Sequence, residues 1–396
     1  MTLSLRWVSV AVLILAAGPA VGQGGRDRSV STVAGLTQAL AAARPGDRVL
    51  LAPGRYVGNV HVRNVHGTAD RPIVVTAADP VRPPVLTGSG TALHISGASH
   101  LEISDLEIVR AGTNGLSIDD GDNRDRPAHH VILRNLRVTD TNGRGNNDGI
   151  KLSGVDDLVI DRCVVRRWGN GGSGIDLVGC HRVVVSDCLF ADGGANAVQF
   201  KGGSADVRVA GCKFLDAGER AVQFGGVTGD GFFRPPLERT PAGTRAEVRN
   251  GVVEGCVFVG GEAAVAAVSA DGVTVRFNTI YRPTKYPFRI LQENPNPGFV
   301  PCRNGTITDN VIVVRSGWPD GGVNIGPGTE PKTFKFARNL WFCEERPAAG
   351  PQLPTPEENG VVGVDPKFID PAKRNFSVRA DSPAAARGAH AWMPKK

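Results

Sequence analysis

Three stretches of this chain repeat one pattern of apolar and polar positions. They read LVIDRCVVRRWGNGGSGIDLVG from Leu158, VVVSDCLFADGGANAVQFKGG from Val183, and VRVAGCKFLDAGERAVQFGG from Val207. Each copy holds short runs in which apolar residues alternate with polar ones, separated by glycine-rich corners, and helical spacing is absent. A repeat of about 20 to 30 residues built only from strands predicts a solenoid of stacked turns.

Two apolar columns fix the register of the predicted turns. The first column is expected to point inward and contains Leu106, Leu136, Cys163, Cys188, Cys212, Cys256, Asn278, Asn310 and Asn339. The second, also inward, contains Leu116, Ile150, Ile175, Val198, Val222, Val265, Phe288 and Val323, with a parallel set two residues later. Polar residues such as Asp105, Asn135, Arg162 and Asp187 precede the first column, where they are expected to cap a corner. These columns predict about nine stacked turns.

Residues that alternate with the second column are predicted to face outward in a single row. We call this row the polar lane; its predicted members are Ser117, Lys151, Asp176, Gln199, Gln223, Ala266, Arg289 and Asn324, with Ser153 and Lys201 beside it. Neighbouring parallel strands lie about 4.8 Å apart, so the lane would form a ladder several sugar units long. The alternative is that these residues only solvate the sheet.

The repeat resembles that of the right-handed parallel β-helix proteins, the superfamily of pectate lyases, chondroitinase B and alginate lyases. The resemblance covers residues 45 to 345 and implies an all-β, single-stranded right-handed parallel β-helix with an N-terminal capping helix. It also implies action on a polysaccharide. The catalytic motifs of those families have no match in this sequence, so no residue role is carried over from them.

Two chemistries compete if the lane is catalytic. β-Elimination from a uronic acid needs a base with a lowered pKa and groups that neutralise the substrate carboxylate. Glycoside hydrolysis needs two carboxylates, and the lane offers Asp176, with Asp148 at its edge. We therefore favour a lyase, with hydrolysis and non-catalytic carbohydrate binding as alternatives. The candidate catalytic residues are Lys151, Lys201, Asp176 and Arg289, and the candidate substrate-binding residues are Gln199, Gln223, Arg220, Trp168, Asn147, Asp148 and Tyr286.

The ends of the chain carry other signals. Residues 1–22 resemble a secretory signal peptide, with Arg6, a short apolar run and a small-residue cleavage site, which predicts a secreted or periplasmic protein. Residues 23–60 are predicted to form an N-terminal cap and first strand, including a helix over 33–43 as a lid. The solenoid is predicted over 61–345 with a loop insertion at 227–250 that protrudes from the stack. Residues 346–396 are predicted to form a C-terminal cap or tail.

Net charge and cysteine content limit which binding partners and which disulfide bonds we expect. The net charge of +6 without clustered basic runs is compatible with an acidic polysaccharide and argues against nucleic acid. We expect a monomer that does not bind membranes once the signal is removed. Of seven cysteines, four lie in the inward column as packing residues, whereas Cys180, Cys302 and Cys343 are expected in loops or strand edges, where one pair could be bridged.

An acidic run, Asp119-Asp120-Gly121-Asp122-Asn123-Arg124-Asp125, is the one candidate for a calcium site. It lacks the spacing of a known calcium loop, so a polar turn is the favoured interpretation. Calcium therefore stays open as a cofactor, and no metal ligand is assigned.

Overall fold

The chain forms a right-handed parallel β-helix in which each turn contributes up to three strands. The computed structural model describes residues 25–141 and 143–393. First strands and third strands join into one sheet of 22 strands, and second strands form a separate sheet of 12. The fold class predicted from the repeat is confirmed.

The strand bounds follow the predicted period. First strands are Asp27–Val30, Arg48–Leu51, Ile73–Ala77, the second half of Leu93–Ser104, Ala128–Arg134, Val155–Asp161, His181–Ser186, Ser204–Ala210, Val248–Glu254, Ala270–Arg276, Thr306–Thr308, Lys335–Ala337 and Glu357–Glu358. Second strands are Arg55–Val57, Val85–Thr87, Glu107–Val109, Arg137–Thr139, Val164–Arg166, Leu189–Gly193, Lys213–Ala217, Val257–Val259, Thr279–Tyr281, Val311–Val314, Leu340–Cys343 and Val361–Val362. Third strands are Val60–His66, the first half of Leu93–Ser104, Leu116–Asp119, Ile150–Ser153, Ile175–Val178, Val198–Lys201, Arg220–Gly225, Ala263–Val268, Tyr286–Leu291 and Val323–Ile325.

Both apolar columns point into the helix, as predicted. Ile150 pairs with Ile175, Ile175 with Val198 and Val198 with Val222, and these side chains are fully buried. Aromatic residues stack on aromatic residues of the next turn, as in the Phe190, Phe214 and Phe258 series with ring centroids 5.0 and 4.7 Å apart. In-register stacking therefore builds one continuous core.

The first column is a ladder of hydrogen bonds as well as an apolar stack. The backbone N–H of Cys163 donates to the Sγ of Cys188 (3.3 Å), and farther along the N–H of Asn278 donates to the Oδ1 of Asn310 (2.9 Å). Asn310 continues the ladder by donating from its backbone to the Oδ1 of Asn339. The predicted packing role of the four column cysteines is confirmed by their burial.

The remaining cysteines differ from the prediction. Cys180, Cys302 and Cys343 are buried, and all seven cysteines are free thiols. Burial raises the pKa of Cys180 and of Cys302 to about 12, so these thiols are unreactive packing groups. The proposed bridge between two of them is therefore not formed.

Corners before the first column adopt left-handed backbone conformations. Asp105, Asn135, Arg162 and Asp187 have φ of 58°, 52°, 51° and 51°. Asp and Asn tolerate this region better than most residues because their short side chains hydrogen-bond locally. The left-handed conformation itself is what bends the chain between the first and second strands, since Gly211, Gly255 and Phe277 also adopt it at this position in later turns.

Both ends of the described chain fold onto the solenoid. The α-helix spans Val33–Ala41 and buries Leu36 and Leu40; its role as a lid stays a prediction. At the other end, Phe368–Asp370 and Asn375–Val378 form an irregular antiparallel pair. The six short 3-10 helices of the described residues are Asp230–Phe232, Leu237–Arg239, Pro319–Gly322, Pro331–Thr333, Pro371–Lys373 and Ala389–Ala391.

The C-terminal segment runs back along the side of the helix. Phe376 packs on Tyr281 (5.0 Å between ring centroids) and Trp392 lies directly on Gly255. The proposed signal peptide at residues 1–22 lies outside the described residues. In the described part of the chain no helix has the length and apolar character needed to cross a membrane.

Asn310→Ala tests the asparagine ladder. The substitution removes four side-chain hydrogen bonds, to the backbone and side chain of Asn278, to Val275 and to Asn339, and leaves buried partners unpaired. Each buried group left without a partner costs about 1–3 kcal/mol. Because several groups lose their partner, we expect the free energy of unfolding to fall by at least about 3 kcal/mol. Urea unfolding followed by circular dichroism measures the change. The exposed Asn146→Ala is the control; equal midpoints for the two variants would refute the ladder's contribution.

Candidate functional site

The polar lane exists as a row of in-register side chains. Lys151 pairs with Asp176, Asp176 with Gln199, and Gln199 with Gln223. Beyond Ala266 the row continues through Arg289 to Asn324. The placement on one face therefore agrees with the sequence-derived register, whereas the functional roles of these residues stay predictions.

Two histidines extend the lane toward the N-terminus. His61 pairs with His94, and His94 pairs with Ser117, and the two imidazoles stack 4.4 Å apart. They were not among the predicted lane residues because the second predicted column begins at Leu116. The signal was present in Leu93-His94-Ile95, which has the same inward, outward, inward alternation.

Four charged side chains meet at the lane's centre, and we call them the charge cluster: Asp148, Lys151, Asp176 and Lys201. The Nζ of Lys151 is bonded to the Oδ2 of Asp176 and lies 3.5 Å from the Oδ2 of Asp148. The Nζ of Lys201 lies 3.1 Å from the same Asp176 oxygen. Both carboxylates are 1% exposed, whereas the lysines are 21% and 16% exposed. A bound molecule would therefore meet the ammonium groups first.

Local chain geometry positions the two carboxylates. Asp176 projects outward from the strand Ile175–Val178, between the buried Ile175 and Leu177. Asp148 lies two residues before a third strand, where its Oδ1 accepts the backbone N–H of Ser173 (2.6 Å). Its own N–H donates to Asn114 (2.7 Å). Asn114, Asp148 and Ser173 occupy the same corner position in three successive turns, and the hydrogen bonds between them fix the position of Asp148.

The pKa of Lys151 differs from the one expected for a catalytic base. Burial and the nearby Asp176 charge raise the pKa of Asp148 to about 6. For Lys151, burial alone would lower the pKa, but the two carboxylates outweigh it and raise the pKa above its ordinary value. The lowered pKa expected of a Lys151 base is therefore wrong. This lysine retains its proton and is suited to binding anions or donating a hydrogen bond.

Arginine and amide groups continue the lane beyond the charge cluster. The guanidinium of Arg220 donates to the Oε1 of Gln223 (2.7 Å) and pairs with Glu293 (2.7 Å). Gln199 and Gln223 both donate to the carbonyl of Gly225. These contacts fix the orientation of both amides, leaving the lane with defined donors and acceptors next to Lys201.

Arg289 lies apart from the charge cluster. Its strand is the third after that of Lys201, or about 14 Å along the lane at 4.8 Å per strand. The guanidinium donates to Asn324 (2.9 Å) and covers the ring of Tyr286 at 5.1 Å. Burial and the charge of Arg220 lower its pKa. Arg289 and Tyr286 therefore share a local site that is separate from the two lysines.

Trp168 and Asn147, two other predicted substrate-binding residues, differ in their exposure. Trp168 was expected as an exposed platform for a sugar ring, but it is 3% exposed and packs edge-on against Phe190 (6.5 Å). It is a core residue, so that expectation is wrong. Asn147 remains at the rim of the lane, half-buried, with its side-chain amide bonded to the carbonyl of Arg144.

The acidic run docks the insertion that follows Gly226. Asp120 is buried and pairs with Arg234 (Nε to Oδ2, 2.7 Å), and Asp125 pairs with Arg239. Asp119 accepts from His94 (2.6 Å), and with its other hydrogen bonds this outweighs burial and lowers the Asp119 pKa to about 2. Asp120 and Asp125 are engaged by arginines and Asp119 by an imidazole, so the run is a poor fit for calcium.

The insertion therefore does not protrude from the stack as expected. Phe233 is buried against Phe299, whereas Phe232 is exposed. Arg234 lies over the corner glycines Gly154 and Gly179. We call the packed insertion, residues 227–250, the strap. Its packing was not predicted, although the acidic run and the insertion carry opposite charges that pair in the structure.

Comparison with known proteins supports the fold. The family described as "Right handed beta helix region" matches residues 91–225, and no curated protein matches the sequence. An alginate lyase from Paenibacillus sp. str. FPU-7 is similar in structure (TM-score 0.51, 20% identity, 86% of this chain and 99% of that one). So are a PL6 family polysaccharide lyase from Pseudopedobacter saltans (0.55, 13%, 92% and 99%) and a GH136 lacto-N-biosidase from Eubacterium ramulus (0.52, 13%, 84% and 64%). At these identities the likeness concerns the fold.

Asp148→Asn tests the electrostatics of the charge cluster. Because the folded state raises the Asp148 pKa to about 6, ionised Asp148 destabilises the fold near neutral pH, by up to about 3 kcal/mol. We expect the variant to be more stable than wild type near pH 7.5. Its advantage should shrink as the pH falls through 6 toward 4, since wild-type Asp148 then takes up a proton.

Urea midpoints of both proteins, compared from about pH 7.5 to about pH 5, measure this difference. The exposed Asp230→Asn is the matched control and should track wild type at every pH. A stability difference between Asp148→Asn and wild type that does not change with pH would contradict the raised pKa.

Proposed function

We propose that this protein is a lyase that cleaves a uronic-acid-containing polysaccharide by β-elimination along the polar lane. The observation that carries the proposal is the meeting of two lysine ammonium groups at one buried oxygen of Asp176. The lysines are partly exposed and have orienting amides beside them. A ladder of this kind presents cationic and hydrogen-bonding groups at the spacing of adjacent strands, close to the length of one sugar unit.

Substrate binding would use the exposed faces of the lane. Arg220 and Lys151 supply positive charge for the carboxylates of an acidic sugar chain. Gln199 and Gln223 are buried, with amides fixed by Gly225, so they would form the floor of the site beneath the sugar. Tyr286 and Arg289 lie farther along the lane and would contact a more distant sugar, because about 14 Å separates Arg289 from Lys201.

The two lysines would have different catalytic roles, one accepting a proton and the other donating one. Lys201, an ammonium group paired with Asp176 in the resting site, must first release its proton to solvent; its free amine then takes the C5 proton of the uronic acid, and Arg220 offsets the negative charge that develops on the carboxylate. The electrons of the broken C5–H bond form the C4=C5 double bond as the C4–O bond breaks. Lys151 remains protonated through its two carboxylates and donates a proton to the departing oxygen. Asp176 acts as a positioning residue that holds both ammonium groups.

The structural neighbours support a carbohydrate substrate. Of the three proteins described above, one is named as an alginate lyase, one as a polysaccharide lyase and one as a lacto-N-biosidase. Export, as a secreted or periplasmic protein, is part of the proposal and rests on residues 1–22. We also propose that the protein acts as a monomer.

Glycoside hydrolysis is the second candidate. It is favoured by the proximity of Asp148 and Asp176 to one ammonium group and by the raised pKa of Asp148, since paired carboxylates with separated pKa values are typical of acid and base roles. Against it, both carboxylates are 1% exposed beneath the lysines. A glycosidic oxygen would first have to displace Lys151, so we rank elimination above hydrolysis.

Lys201→Ala tests the proposal. Wild-type protein is incubated with alginate, pectate and glycosaminoglycans, with calcium and with a chelator, and the ultraviolet absorbance of the unsaturated product is followed. We expect absorbance to rise with at least one substrate, and Lys201→Ala to lower kcat at least about 100-fold, because it removes the base. The exposed Lys213→Ala, on the second sheet, is the matched control and should retain full activity.

Three outcomes would overturn the lyase proposal. Reducing ends that appear without absorbance would indicate hydrolysis, and Asp148→Asn would then abolish them. Binding without turnover in all conditions would indicate a non-catalytic carbohydrate-binding protein. Full activity of Lys201→Ala would remove the proposed base.

A further inference from the structure

A cluster of histidines lies on the first-strand face, away from the polar lane. His129 and His130 are in the strand Ala128–Arg134, and His100 is in the preceding turn. One ring nitrogen of each residue can be chosen so that all three lie within 4.8 Å of one another. Nothing in the proposed lyase chemistry uses these residues.

The backbone sets this arrangement. His100 and His130 occupy the same position of successive turns, as shown by the pairing of His129 with Ser99 and of Val131 with Leu101. Both have left-handed backbone conformations, with φ of 47° and 53°, a region in which His, Asn and Asp are the enriched non-glycine residues. Their rings stack with centroids 4.5 Å apart, and the ring of His129 meets that of His100 edge-on at 5.3 Å.

We propose that His100, His129 and His130 together bind one divalent transition-metal ion of the class that prefers imidazole ligands, such as Zn²⁺. Three imidazoles leave a fourth position of a tetrahedral ion for water or another ligand. Zinc–nitrogen bonds of about 2.0–2.1 Å place two ligand nitrogens about 3.3–3.5 Å apart. The three rings reach that spacing through side-chain torsions, because His130 is exposed and the other two are half-buried.

Interactions within the cluster agree with this role. The Nδ1 atoms of His129 and His130 face each other at 2.9 Å, so one of them must carry a proton unless a cation lies between them. Burial and the neighbouring imidazoles lower the pKa of His100 and of His129. Both rings are therefore neutral near pH 7, which is the form that binds metal. The Asp157 carboxylate lies 3.9 Å from the Nδ1 of His130 at the edge of the site, where Arg182 also pairs with it.

Zn²⁺ titration of the full chain against a chromophoric chelator tests the site. The protein for this titration is prepared without a polyhistidine tag, because a tag would bind the same ions. We expect one equivalent of Zn²⁺ per chain, and at least tenfold weaker binding in His100→Asn/His130→Asn. Asparagine suits these positions, since Asn250 and Asn304 occupy them in later turns with φ of 53° and 59°. The variant should therefore keep its fold, which circular dichroism checks, and His129→Gln is a second variant that leaves both corners unchanged.

A matched control and a spectroscopic readout complete the test. His61→Gln removes an exposed imidazole on the other face and should leave the affinity unchanged. Co²⁺ in place of Zn²⁺ should give d–d bands without thiolate charge-transfer bands, as expected for nitrogen ligands. The proposal is overturned if no stoichiometric binding occurs, if both histidine variants bind as tightly as wild type, or if thiolate bands show that cysteines bind the ion. None of these results depends on whether the protein is a lyase.

Discussion

The in-register stacking of parallel strands is the constraint on which the rest of this structure depends. Each turn places equivalent residues about 4.8 Å from those of the next turn, so a side chain must be compatible with its own neighbours above and below. Apolar columns satisfy this requirement by burial. The Cys and Asn column satisfies it with hydrogen bonds from each backbone N–H to the next side chain.

Charged residues meet the same constraint by alternating in sign. Arg182 bonds Asp157 of the preceding turn, and Arg338 bonds Asp309 in the same way. In the polar lane, Asp176 lies between the turns of Lys151 and Lys201 and bonds both. The polar lane and the ion pairs between turns are therefore built from one rule.

The fold and the lane were accessible from sequence because periodicity encodes register directly. Columns containing Cys163 or Ile150 needed only counting along the chain. Other features depend on contacts between residues far apart in sequence. The burial of Trp168 against Phe190 and the pairing of Asp148 with Lys151 follow from how the loops between strands fold, and loop conformation is not periodic. Lane polarity was thus predictable, but the raised pKa of Lys151 was not.

The strap formed by the insertion joins parts of the solenoid that would otherwise be independent. Repeat structures commonly gain stability from neighbouring turns alone, so they can fray from either end. Here Arg234 is bonded to Asp120 across 114 residues of sequence, and its aliphatic part lies over the turns in between. Early turns can therefore reach their final stability only after the chain has been synthesised well past them. Folding of this molecule should thus have a late, long-range closing step, which gives a simple linear array the cooperativity of a globular domain.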